Sequence, residues 1–74
     1  MIDPETQANR ERVLRGLVAA GWDAAIIDVG VVVRFNGRVW RVVGGDFERP
    51  SMLGCAGLDP ARIAWTRPAR PRHV

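Results

Sequence analysis

Few side chains in this sequence could carry covalent chemistry. There is one serine (Ser51), one cysteine (Cys55) and one histidine (His73). A hydroxyl or thiol becomes a useful nucleophile only beside a positioned base. Here the sole histidine stands second from the end, in a run of alternating proline and arginine. Cys55 reads instead as a small apolar residue of a buried loop. Asp46-x-Glu48, beside Asp23 or Asp28, offers oxygens to a hard cation, but a site needs several converging ligands and no spacing here enforces that. No pair of carboxylates can be set across a cleft for acid–base work. Lysine is absent, which excludes Schiff-base chemistry and a Walker phosphate loop. The expectation is a protein that is not an enzyme and takes no metal or cofactor.

What remains is arginine. The formal charge is +3, and its location matters more than its size. Arg67, Arg70 and Arg72 close the chain with no acid among them, whereas residues 1–66 hold eight arginines against eight acids. The body is therefore formally neutral, and the basicity belongs to the tail. A neutral body weakens a nucleic-acid reading, because such binding is driven by phosphate neutralisation.

The body arginines are positioned by a β-hairpin. Asn36-Gly37 between two β-rich runs predicts a two-residue type I′ turn, in which both residues need positive φ. That turn fixes the register: Phe35 opposite Arg38, Arg34 opposite Val39, Val33 opposite Trp40, Val32 opposite Arg41. One face then holds Val31, Val33, Phe35, Trp40 and Val42, and is the predicted core face. The other presents Val32, Arg34, Val39, Arg41 and Val43, with Arg38 at the tip. Arginine is favoured at interfaces and on phosphates, so this second face is the candidate contact patch. Its three valines exceed what a solvated face needs, which points to a partner or to a second packing layer.

Around the hairpin, Asp3-Pro4-Glu5 predicts a helix start and Gly21 a helix stop. Val13, Leu14, Leu17 and Val18 recur at helical spacing between them. The stripe fails toward Arg10, Gln7 and Thr6, so the later half is the part expected to dock. After Trp22-Asp23 the period becomes two, and residues 25–35 read as one long strand with a bulge near Gly30, in preference to two strands with a tight turn at 28–30. Residues 44–57 read as loop, with Met52-Leu53 and Cys55-Ala56 over the core's edge. For residues 59–66 a short strand is preferred, although Asp59-Pro60 repeats the helix-start dipeptide. Residues 67–74 read as an extended, mobile Arg/Pro tail.

The order helix, Ala20-Gly21-Trp22 helix end, strand, hairpin, strand over Arg10 to Val43 loosely resembles HicA-type mRNA interferase toxins. The resemblance implies a double-stranded-RNA-binding-like layout. Those toxins carry a catalytic histidine after the glycine that precedes the second strand, whereas here Gly30 is followed by Val31-Val32. It therefore implies no ribonuclease activity, and the chain is not assigned to that family.

Three tryptophans and two phenylalanines provide the area a small core needs. The apolar runs are too short for a bilayer and the first residues are acidic, which with a single cysteine points to the cytoplasm. The expected fold is α+β: one domain over residues 1–66, with an N-terminal helix on an antiparallel sheet of three or four strands around Asn36-Gly37. Its predicted core is Val13, Leu14, Leu17, Val18, Ile27, Val31, Val33, Phe35, Trp40, Val42 and Trp65.

The function expected is a small non-catalytic protein-binding module that docks on a nucleic-acid-handling protein complex as an inhibitor or adaptor, acting as monomer or homodimer. Phage and mobile-element accessory proteins, anti-defence inhibitors among them, are often of this size. The alternative is direct DNA or RNA binding. The residues expected to make contact are Arg34, Arg38, Arg41, Val32, Val39, Arg67, Arg70 and Arg72.

Overall fold

A computed structural model describes Ile2 and residues 7–68. It shows one helix, α1 (Gln7–Ala19), packed on a four-stranded antiparallel sheet. The strands are β1 (Ala24–Ile27), β2 (Gly30–Phe35), β3 (Arg38–Gly45) and β4 (Pro50–Gly54), adjacent in chain order. The predicted helix start at Asp3-Pro4 lies outside the described residues, as does the predicted tail from residue 69 onward.

The stop of α1 is the one expected. Gly21 has φ 98°; its N–H donates to the Val18 carbonyl and the Trp22 N–H donates to the Leu17 carbonyl, each at 3.0 Å. This paired closure satisfies carbonyls that a helix end leaves bare, and it brings the residue after the glycine onto the last turn. Trp22 is accordingly buried in one cluster with Leu17, Val13, Ile2, Ala24, Val31, Val33 and Val42. Gly16 serves the same side of the sheet. A Cβ there would lie 2.4 Å from the Phe47 ring, so the missing side chain is what lets the β3–β4 loop close against the helix.

The Asn36-Gly37 turn has positive φ at both residues, 53° and 71°, and the β2–β3 register is the one expected, from Phe35↔Arg38 to Val32↔Arg41. Three expectations around it are corrected. Residues 24–35 are two strands rather than one bulged strand, joined by a tight turn at Asp28-Val29. The turn residues carry side chains, and Gly30, just after them, takes a φ of 126° that other residues rarely adopt. In this pairing even-numbered β1 residues face odd-numbered β2 residues, so the alternation changes phase at the turn. Ile27 therefore leaves the helix face for the opposite one.

The second correction is β4. Residues 50–54, expected as loop, pair with β3 from Gly45↔Pro50 to Trp40↔Gly54, with a bulge between Val42 and Gly44. The third concerns residues 59–66. Asp59 caps a three-residue 3-10 helix, Pro60–Arg62, by accepting the Ala61 N–H at 2.9 Å. Strand character is confined to one bridge, where Thr66 exchanges hydrogen bonds with Ala24 at 2.7 and 3.2 Å.

Residues 55–66 thus form a strap across the sheet face opposite α1. Beneath it Ala25, Val32 and Val39 are buried, covered by Cys55, Leu58, Ile63 and Trp65. The strap also explains the remaining core corrections. Trp65 packs on this second cluster rather than under the helix. Phe35, at the hairpin tip beyond the helix, is 42% exposed, with its ring 5.8 Å from that of Trp22. Trp40 is half-buried.

Candidate functional site

Antiparallel pairing decides what the hairpin offers outward, because Cα partners project from the same face. Val32 pairs with Arg41, Arg34 with Val39, and Arg41 with Leu53 of β4. All five side chains therefore belong to the strap face. Val32 and Val39, expected as contact residues, are fully or almost fully buried at 0% and 2% exposure. They are withdrawn from the contact surface because the strap has taken them as its own core. For Val32 and Val39 the second packing layer is the correct explanation, whereas Val43 stays exposed.

Arg34 and Arg41 remain exposed, on diagonal positions roughly 7–8 Å apart at their Cα atoms for such a ladder. Arg38 is exposed too, but it faces Phe35 and so lies on the helix side of the sheet. Arg67 is exposed and follows Thr66 at the β1 edge. Arg70 and Arg72 lie outside the described residues. The structure therefore unites two of the expected contact residues and places Arg38 and Arg67 elsewhere.

Leu53, which the sequence reading left in a loop, is the residue that joins Arg34 and Arg41. It lies opposite Arg41 and, at 53%, is more exposed than the other three large hydrophobics left open, Val29, Phe35 and Val43. Arg41 also lines a shallow notch of about 110 Å³ with Val29 and Val43, which are 43% and 42% exposed. Arg10 of α1 lines the same notch, so the result is a small amphipathic surface: Arg41 and Arg10 beside open aliphatic side chains, with Arg34 on the diagonal from Arg41. A guanidinium is weakly hydrated and planar, so it combines with apolar neighbours at low desolvation cost. The available signal for Leu53 was the apolar pair Met52-Leu53 between Pro50 and Gly54, one strand's length after a glycine pair.

A larger pocket of about 410 Å³ lies between the hairpin tip and the start of the strap, lined by Arg38, Trp40, Gly54, Cys55, Leu58 and Pro60 among others. Of the candidate nucleophiles, Cys55 lines it. Cys55 is half-buried, its Sγ 3.8 Å from the Leu53 carbonyl, and Ser51 is exposed on β4. His73 lies outside the described residues. Among the described residues no three His, Cys, Asp or Glu side chains gather as metal ligands. No helix among them is long and apolar enough to cross a membrane. Comparison with protein-family models, with curated proteins and with solved structures gives no match.

Proposed function

We propose that this chain is a stoichiometric protein-binding module, an inhibitor or adaptor, that docks through Arg34, Arg41 and Leu53 on a protein of a nucleic-acid-handling complex. The observation that carries the reading is the pairing of an exposed arginine, Arg41, with an exposed leucine, Leu53, on a sheet face where Val32 and Val39 are covered and Val43 stays open. Binding surfaces concentrate their energy in a few residues, and arginine is enriched among them. The formally neutral body supports a protein partner over bare phosphate, and the two guanidiniums fit an acidic, nucleic-acid-mimicking or phosphate-adjacent surface on it.

The test is capture from the host with wild-type chain and with an Arg34→Glu, Arg41→Glu variant. Both residues are exposed, so the variant should keep its fold within about 0.5 kcal/mol. A partner retained by the wild type and lost by the variant supports the reading; equal retention overturns it. Direct nucleic-acid binding, through Arg34, Arg38, Arg41 and the terminal arginines, makes a different forecast. Labelled duplex and single strand would then bind at low salt, with an affinity that falls linearly in log salt and a slope reduced by deleting residues 67–74.

A further inference from the structure

The two edges of the sheet are finished differently. On β1, Ala24 gives and receives a hydrogen bond with Thr66, and the strand is only four residues long. On β4, five residues long, no described residue pairs with the outer side. The direction of its backbone groups can be read from its two ends. Cys55 donates to the Val39 carbonyl at 3.0 Å and Asp46 donates to the Arg49 carbonyl at 3.3 Å. Alternation along an antiparallel ladder then turns Ser51 and Leu53 toward β3, and turns the backbone groups of Pro50, Met52 and Gly54 outward. Natural sheets blunt an open edge with charge, proline, bulges, short strands or a cover. β4 has a proline at its first position and a bulge on the neighbouring strand; what it lacks is charge and, among the described residues, a cover. The β4 sequence, Pro-Ser-Met-Leu-Gly, has no charge, and its Leu53 is half exposed.

We infer that β4 is a pairing edge for a second copy of this chain, antiparallel about a two-fold axis at Met52, joining two sheets into one of eight strands. The register follows from the donors. Met52 exchanges both hydrogen bonds with its copy, and each Gly54 N–H donates to the opposite Pro50 carbonyl, making four bonds. Proline, which has no N–H to give, falls at the far end of the pairing, where one acceptor goes unused. Leu53 meets Ser51 of the other copy directly and the other Leu53 on the diagonal, within reach for aliphatic side chains.

Charge does not oppose this arrangement. No charged residue of β4 faces its counterpart, and the two Arg41 side chains sit three inter-strand spacings apart, roughly 14 Å, beyond the Debye length of about 8 Å at physiological salt. Area sets the strength. Five residues of edge bury less than the roughly 1,200 Å² of a stable interface, so the dimer is weak and concentration-dependent. Among the described residues β1 is the shorter edge and is bridged at Ala24. Pairing of β4 with its own copy about a two-fold axis is isologous, so association through β4 closes at two.

Sedimentation equilibrium of the full chain under reducing conditions, from micromolar to near-millimolar concentration, tests this. A reversible monomer–dimer equilibrium is expected. Leu53→Lys should raise its dissociation constant about tenfold or more, by placing like charges on the diagonal. Met52→Pro, which removes an outward N–H and leaves the β3 ladder intact, should do the same. A far-UV spectrum and melting curve confirm folding, and should Met52→Pro not fold, Leu53→Lys decides alone. A chain that stays monomeric throughout, a dimer indifferent to Leu53→Lys, or growth beyond two copies overturns the inference.

Discussion

The two faces of the sheet bury their own residues equally well but are covered by very different means. Val31 and Val33 on the helix side and Val32 on the strap side all have 0% exposure. On the helix side the cover includes side chains that are themselves buried, Val13, Leu17 and Trp22. On the strap side Cys55, Leu58, Ile63 and Trp65 are all half-buried. A helix brings successive turns of one stripe down on a sheet and satisfies its own backbone while doing so. A strap held by a 3-10 turn and a single bridge leaves each covering side chain partly in water. Equal burial below therefore coexists with unequal anchoring above, and the strap is the layer expected to open first.

Leu17→Ala strikes the stronger layer and should have the largest effect, about 3 kcal/mol, since Leu17 is fully buried. A chain of this length has about 4–11 kcal/mol in all, so calorimetry should show a large fall in melting temperature; a loss under 1 kcal/mol would mean that α1 is loosely seated. Trp65→Ala tests the strap. Because Trp65 is only half-buried, the expected cost is about 2 kcal/mol, with selective consequences. Hydrogen exchange should accelerate in residues 55–66 and dye binding should report exposed Val32 and Val39, while α1 amides keep their protection. Equal acceleration in α1 would show that the two layers open as one.

Asp59→Ala removes the oxygen that caps Pro60–Arg62 and should cost about 1 kcal/mol, again read by exchange within the strap. The smallest effect concerns the helix side and has two signs. Replacing Gly16 with alanine should gain about 1 kcal/mol of helix propensity in a Phe47→Ala background. With Phe47 present the same change should gain nothing or destabilise, because the ring occupies the space. A denaturant double-mutant cycle measures this coupling, and additive values would remove Phe47 from its place against the helix.

The legible parts of the fold were those set by short-range chemistry. Asn36-Gly37 dictated a turn type and with it the pairing of Arg34 with Val39 and Val32 with Arg41. Gly21 dictated a helix stop. The Asp28-Val29 turn was legible only as the second choice: Asp28 and Gly30 are turn residues, but apolar alternation running through Gly30 favoured one continuous strand. β4 is five residues between a glycine pair and a glycine, too short for alternation to show. The strap has almost no regular structure, so its position is fixed by the valines it covers. That is why the contact surface was half legible: Arg34 and Arg41 followed from the hairpin, whereas the loss of Val32 and Val39 and the gain of Leu53 depended on segments that only tertiary packing arranges.

The tryptophans carry one last consequence. Each indole N–H donates to a backbone carbonyl at 2.9 Å: Trp22 to Phe47, Trp40 to Phe35 and Trp65 to Pro60. One lies in the helix layer, one at the hairpin tip and one in the strap, and the sequence has no tyrosine. The molecule therefore holds a separate fluorophore in each of these three parts. Single-tryptophan versions, with phenylalanine at the other two positions, would let the emission of each layer be followed on its own as the protein melts or meets a partner.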